Sequence, residues 1–272
     1  MAPRVPTLSV VIPAYNAAAF LGPRLAYLTQ ALETFALDYE VIVVDDGSQD
    51  GTAQVVDGLR SERLRGIVFQ ANRGKYAALK AGVAASRGRA CIFMDADVPY
   101  ELDAVPAMTH LVTEEGFHVV VGDRTLPESH YADDLSFLRR VATQAFTQFV
   151  RILVTGGLHD TQCGIKAFRG DVARALFPLV QESGFAGDVE LLYIAIKHNL
   201  AIRRFPVRLE HQGGSTVRPF VHGTKMLAAI SKLRVRHRLG QYASDDLRRV
   251  VRASYGKPAP SRAKVRQPRG AA

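Results

Sequence analysis

Ala90-Cys91-Ile92-Phe93-Met94-Asp95-Ala96-Asp97-Val98-Pro99 is an apolar run closed by two carboxylates and a proline. Carboxylates at i and i+2 of a regular strand lie on the same face. Where a strand breaks into a loop, both can turn toward one point, and their hard oxygens suit Mg²⁺ or Mn²⁺. The same pattern also occurs in plain turns, so its meaning depends on the segments around it.

Those segments repeat one theme. Leu8-Ser9-Val10-Val11-Ile12-Pro13 reads as a buried strand stopped by proline, and residues 16–34 as a helix with Phe20, Leu21, Leu25, Leu28 and Leu32 on its apolar positions. Tyr39-Glu40-Val41-Ile42-Val43-Val44 is a second continuous strand. It runs into Asp45-Asp46-Gly47-Ser48-Gln49-Asp50-Gly51-Thr52, which is turn chemistry followed by a helix cap. A helix to about Arg63, a short strand over 66–70 and a helix from Asn72 to Ser86 precede the strand 90–94. Near-continuous apolar strands alternating with helices predict an α/β chain with a parallel sheet covered on both faces. Ligands of such sheets bind beyond the carboxyl ends of the strands, where Asp45, Asp46, Asp95 and Asp97 all fall.

The second half is mixed in character. Strands are expected over 119–122 and 202–209, and helices over 135–154, 171–180, 189–198 and 220–242. Asp160 to Phe168 reads as a loop leading into a short strand.

Charge divides the chain. Residues 1–202 hold 18 Lys and Arg against 23 Asp and Glu, while residues 203–272 hold 17 against 3. The overall charge of +9 thus hides an acidic body and a basic end. A basic end attracts nucleic acid or an anionic membrane surface. The stretch after Asp246 has eight basic residues and no acidic ones, which predicts a disordered tail. Cys91 and Cys163 form no zinc or disulfide framework and read as reduced thiols of a cytosolic protein. No stretch approaches the roughly 20 apolar residues of a membrane span.

Two smaller constellations add chemistry. Asp45-Asp46 with Gly47 can bond a ribose or base edge, or can be a plain αβ turn. Asn72-Arg73-Gly74-Lys75 sets flexible backbone and a cation at a helix start, where an anion is favoured, although a solvated lysine fits as well.

Taken in order, Val11-Ile12-Pro13-Ala14-Tyr15-Asn16, Val43 through Thr52, Asn72-x-Gly74-Lys75 and Asp95-Ala96-Asp97 resemble the inverting family 2 glycosyltransferases of the GT-A fold. The resemblance spans about residues 8–219. Within that family, Gly122-Asp123-Arg124, Asp160-Thr161-Gln162-Cys163-Gly164-Ile165-Lys166-Ala167-Phe168, Gly187-Asp188-Val189-Glu190-Leu191-Leu192 and Glu210-His211-x-x-Gly214-Ser215-x-Val217-Arg218 are similar to segments of the polyprenyl- and dolichyl-phosphate sugar synthases. Three positions depart from the pattern: Asp123 replaces serine, Ile165 replaces phenylalanine, and Gly187 replaces an aromatic residue.

The resemblance implies a mixed, mostly parallel sheet flanked by helices, forming a catalytic domain over residues 1–219. A basic amphipathic helix over 220–246 and a basic tail over 247–272 follow it. It implies a nucleotide-sugar donor, UDP-glucose ahead of GDP-mannose, held around Pro13, Tyr15, Asn16, Asp45, Asp46, Lys75, Asp95 and Ala96. Asp95 and Asp97 would ligate Mg²⁺ or Mn²⁺; Pro99 cannot add a third ligand. Arg124 would bind the phosphate of a polyprenyl-phosphate acceptor, with Arg139, Arg140, Lys166 and Arg218 as further cations. Arg139 and Arg140 also read as a solvated helix face, and Arg218 as either a lid residue or a surface arginine. A phosphate acceptor is already ionised and needs no strong base. Asp188 or Glu190 would then position hydroxyls, while Asp188 reads equally well as a helix cap.

A lipid acceptor places the enzyme peripherally at the inner face of the membrane, with 220–242 and the tail on the anionic leaflet. A family 2 transferase acting on a saccharide is the rival within enzymes. A nucleic-acid-binding protein is the rival outside them, and it is disfavoured by the acidic body.

Overall fold

The computed structural model describes residues 5–129, 160–184, 186–209 and 232–254. The predicted segments for 135–154 and for 220–231, together with Arg139, Arg140 and Arg218, lie outside the described residues, as does 255–272.

Among the described residues, seven strands form one sheet: β1 (Leu8–Ala14), β2 (Tyr39–Asp45), β3 (Leu64–Val68), β4 (Ala90–Phe93), β5 (Val119–Asp123), β6 (Lys166–Arg169) and β7 (Ile202–Pro206). Their order is β3-β2-β1-β4-β6-β5-β7. β6 runs antiparallel to β4 and β5, and every other pairing is parallel. The expected mixed, mostly parallel sheet is thus observed. Strand order across the sheet reverses at β1, since β2 and β3 lie to one side and β4 to the other, and ligands of such sheets bind at such a reversal.

Alternating residues of each strand feed two cores. Leu8, Val10 and Ile12 of β1 and Ala90 and Ile92 of β4 pack toward α1 (Ala18–Thr34) and α4 (Ala104–Thr113). Val11, Cys91 and Phe93 face α3 (Lys75–Ala85), α5 (Gly170–Leu176) and α6 (Ala186–Lys197). Burial on both sides is why these strands carry no polar alternation. The spacing predicted for α1 holds, with Leu21, Leu25, Leu28 and Leu32 buried and Phe20 exposed. Both cysteines are buried free thiols, and burial pushes Cys91 up to about 12.

Several boundaries move. β1 continues through Pro13 to Ala14. The carbonyl of Val11 accepts the Met94 N–H, so Pro13, two residues on, directs its missing N–H past the end of β4, where no partner waits. α2 (Thr52–Gly58) stops short of Arg63, β3 starts earlier than expected, and β7 ends at Pro206.

The larger correction concerns the C-terminal end. Residues 232–238 form a helical turn pair, α7, and Asp245–Ser254 forms α8, so the expected disordered tail does not begin at 247. Leu247 and Val251 at i and i+4 are buried against α5, and Arg169 donates to the carbonyl of Val250. Composition alone hid this apolar pair among arginines. Among the described residues, no helix is long and apolar enough to cross a membrane.

Candidate active site

The first and second strands end in loops stitched to one another. Asn16 takes a left-handed φ of 49°, which asparagine tolerates; its N–H donates to the Ser48 hydroxyl and its side chain accepts from the Gln49 N–H. Asp50 accepts from the N–H groups of Ala18 and Thr52, at the start of α1 and of α2 respectively. Tyr15 stands out half exposed above this seam.

Asp45 is buried at the end of β2. One oxygen accepts from the N–H and hydroxyl of Ser48, whereas Oδ2 is buried without any partner among the described residues. Asp46 differs: its two oxygens accept from the N–H groups of Arg73 and Gly74, 2.8 Å each, and hang the loop before α3 on the end of β2. Gly74 has a φ of 94°, and a Cβ there would lie 2.6 Å from the Ser183 carbonyl, so glycine is required by both conformation and space.

Lys75 opens α3 and reaches Asp95, with Nζ 2.7 Å from Oδ1. Burial works against its ammonium, but the charges of Asp95, Asp188 and Asp97 outweigh it and raise its pKa. Val98, directly after the carboxylate pair, adopts a φ of 43°, a strained conformation for a β-branched residue. Beyond this pair the chain turns, and Asp97 Oδ1 is buried with no hydrogen-bond partner among the described residues. Burial, and then the charge of Asp95, raise the Asp97 carboxyl. An orphaned buried carboxylate oxygen beside a second carboxylate fits a divalent cation. No group of three or more His, Cys, Asp or Glu gathers as a ligand set among the described residues, so Asp95 and Asp97 stand as a pair.

Behind Asp95 lies Gly164, where a Cβ would fall 2.0 Å from Oδ2. Its N–H donates to the hydroxyl of buried Tyr100, which the Cys163 thiol also approaches. Lys166 begins β6, fully closed to solvent. Its Nζ donates to Asp188 at 2.6 Å and to the Cys163 carbonyl at 2.7 Å, and it lies 5.1 Å from the centre of the Phe93 ring. Asp188 sits in the first turn of α6 and bonds Lys166, so it is an ion-pair residue among the described contacts. Glu190 is buried and binds the N–H groups of Gln181 and Glu182.

Arg124, expected at the acceptor phosphate, is engaged by Asp160: Nε and Nη2 meet the two carboxylate oxygens at 2.6 and 2.9 Å. Burial acts to raise Asp160, and the Arg124 hydrogen bonds and charge outweigh it and hold the carboxyl low. Asp123 accepts from Thr125 and from Arg204 on β7, which explains how an acid is accommodated there. The departure at Gly187 also has a reason. Its missing side chain is replaced by the ring of buried Tyr76, 2.3 Å from a would-be Cβ. Ile165 is buried in the core. Tyr76 and Tyr100 carry no sequence signal of their own; each matters through a partner far along the chain.

A reversal of strand order in a mostly parallel sheet, a buried carboxylate oxygen at the end of β2 that has no partner among the described residues, and a carboxylate pair beyond β4 are the arrangement expected of the GT-A fold. The profile of glycosyl transferase family 2 matches residues 9–177. Dolichyl-phosphate β-glucosyltransferase of Dictyostelium discoideum is 35% identical over 86% of this chain and 75% of its own, and that of Saccharomyces cerevisiae is 31% identical over 86% and 76%. Glucosyl-3-phosphoglycerate synthase of Mycobacterium tuberculosis, solved with Mn²⁺, UDP-glucose and phosphoglyceric acid, shares the fold at a TM-score of 0.63, with 21% identity over 84% of this chain and 79% of that one. Mannosyl-3-phosphoglycerate synthase of Rubrobacter xylanophilus does so at 0.61, with 16% identity over 87% and 75%. The chain belongs to glycosyl transferase family 2 and is a glycosyltransferase that resembles the dolichyl-phosphate glucosyltransferases.

Proposed function

We propose that this enzyme transfers glucose, with inversion, from UDP-glucose to a polyprenyl phosphate at the cytoplasmic face of a membrane, and that it depends on Mg²⁺ or Mn²⁺. The observation that carries the reading is the pair of orphaned carboxylate oxygens, Asp45 Oδ2 and Asp97 Oδ1, both buried and both without a partner among the described residues. Leaving such an atom empty costs about 1–3 kcal/mol, so each is suited to a ligand from outside. For Asp45 that ligand is an N–H of the nucleobase. For Asp97, with Asp95, it is the cation, which when bound offsets charge on a departing nucleoside diphosphate.

This chain's own residues do the rest. Lys75 adds positive charge beside the diphosphate. Asp46 holds the Arg73–Gly74 loop that presents Lys75. The acceptor phosphate arrives ionised, so Asp188, paired with Lys166, orients groups rather than removing a proton. Arg124 acts from its Asp160 clamp, and Arg139, Arg140 and Arg218 complete the cationic side. Pro13, Tyr15, Asn16 and Ala96 border the donor. The basic end draws the enzyme to anionic lipid.

Glucose is favoured over mannose because the relatives named above are β-glucosyltransferases. The test is transfer of labelled sugar from UDP-glucose and from GDP-mannose to polyprenyl phosphate and to saccharide acceptors, with and without Mn²⁺. Label in the lipid from UDP-glucose, lost on chelation, is expected. Transfer only to saccharides overturns the lipid acceptor, transfer only from GDP-mannose overturns the donor, and full activity after chelation overturns the cation.

A further inference from the structure

Glu190 is fully buried, yet it belongs neither to the loops at the end of β2 nor to the carboxylate pair beyond β4. Four donors surround its carboxylate. Oε2 accepts from the N–H groups of Gln181 and Glu182, 2.7 Å each, while Oε1 accepts from the Tyr242 hydroxyl at 2.5 Å and Arg236 Nη1 at 3.0 Å. The cation that neutralises it therefore comes from the basic C-terminal segment. That segment is tied down again where Gln181 donates to Gln241 at 3.1 Å and His198 meets the Tyr242 carbonyl at 2.8 Å.

The loop that Glu190 holds leads directly to the donor side. Ser183 follows Glu182, and its carbonyl accepts the Tyr76 N–H at 3.0 Å, the bond that orients the start of α3. The same carbonyl occupies the space that only a glycine at 74 leaves open. Between Gly74 and Tyr76 stands Lys75, 2.7 Å from Asp95. Gly187, one turn ahead of Glu190, presses on the Tyr76 ring, so α6 grips the start of α3 twice.

We infer that residues 232–242 are a working part of the donor site: Glu190 is a positioning residue through which Arg236 and Tyr242 hold Lys75 against Asp95. The inference rests on the reading of Lys75 and Asp95 as donor-site residues. It has a consequence for the membrane. Val235 and Leu239 of the same segment are 56% and 67% exposed, beside exposed Lys232 and Arg238. The surface best suited to meet lipid is thus carried by the segment that sets the donor lysine.

Tyr242→Phe, Arg236→Met and Arg236→Lys in the full chain test this. Two quantities are read: hydrogen exchange over residues 74–79, which contains the Tyr76 amide, and the affinity for UDP with Mn²⁺. Tyr242→Phe and Arg236→Met are expected to speed exchange there and to weaken UDP binding about tenfold, as a small displacement of a positioned group does. The KM for acceptor stays unchanged, and Arg236→Lys restores most of the loss. Exchange and affinity like the wild type, with only a lowered melting point, overturn the inference. If Arg236→Met does not fold, Tyr242→Phe, which keeps the Arg236 pair, decides it. A wild-type chain that ignores UDP while exchange at 74–79 still responds upholds the tie and overturns the donor reading.

Discussion

Lys166 and Asp188 face each other across 2.6 Å with both side chains closed to solvent, joining the start of β6 to the first turn of α6. Such a pair gives little net stability relative to an apolar replacement, but removing one partner strands a buried charge. Lys166→Met is therefore expected to lower unfolding free energy by about 3–5 kcal/mol. Adding Asp188→Leu to the same chain should recover most of that loss. Denaturant titration of the three variants checks it, and a double variant no better than the single one contradicts it.

Gly164→Ala introduces a Cβ 2.0 Å from Asp95 Oδ2, next to the Tyr100 hydroxyl. The neighbouring chain is buried, so the carboxylate is what yields. Transfer should fall about a hundredfold while the fold loses about 1–3 kcal/mol. Turnover and a melting curve on one preparation separate the two effects.

Gly187→Ala collides with the Tyr76 ring and should cost about 1–3 kcal/mol. In a Tyr76→Leu background the cost should shrink, because the space the ring filled is then free. The coupling is read from a double-mutant cycle in urea. Additive effects would mean the contact is not the cause.

Stability should fall in mild acid through His118. Its Nδ1 accepts the Ala201 N–H, and burial, then the charge of Arg169, push its pKa down to about 4. A lowered folded-state value means the contribution is whole above the unfolded pKa of about 6.5 and is lost as pH falls toward the folded one. The loss between pH 7 and pH 5 should be about 2 kcal/mol, and His118→Asn should remove that part of the pH dependence. Urea midpoints at the two pH values measure it.

Asp45→Asn replaces an empty acceptor by an amide that must choose which atom to present. If Oδ2 receives a nucleobase N–H, UDP binding should weaken about a hundredfold or more. Calorimetry with UDP and Mn²⁺ tests this, and an unchanged affinity would free Asp45 from the donor.

Much of the fold was legible because strands buried on both faces leave continuous apolar runs, and the leucines of α1 leave a helical period. Asp45, Asp95 and Asp97 were legible as candidates because they end those runs. The helix over 245–254 was not, since two apolar residues among arginines resemble a solvated tail until α5 covers them. α4, over Ala104–Thr113, was not among the expected elements; Pro106 stands in its first turn, where proline is tolerated.

What the sequence determined by itself is the order of strand ends and the carboxylates they carry, because periodicity and turn chemistry are local properties. What only the tertiary structure decided is which charge each cation serves. Arg124 takes Asp160, Lys166 takes Asp188, Lys75 takes Asp95, and Glu190 takes Arg236 from 46 positions along the chain. The reason is physical: a buried charge must find an opposite one, and the partner is whichever residue the sheet order and helix packing bring within hydrogen-bond reach.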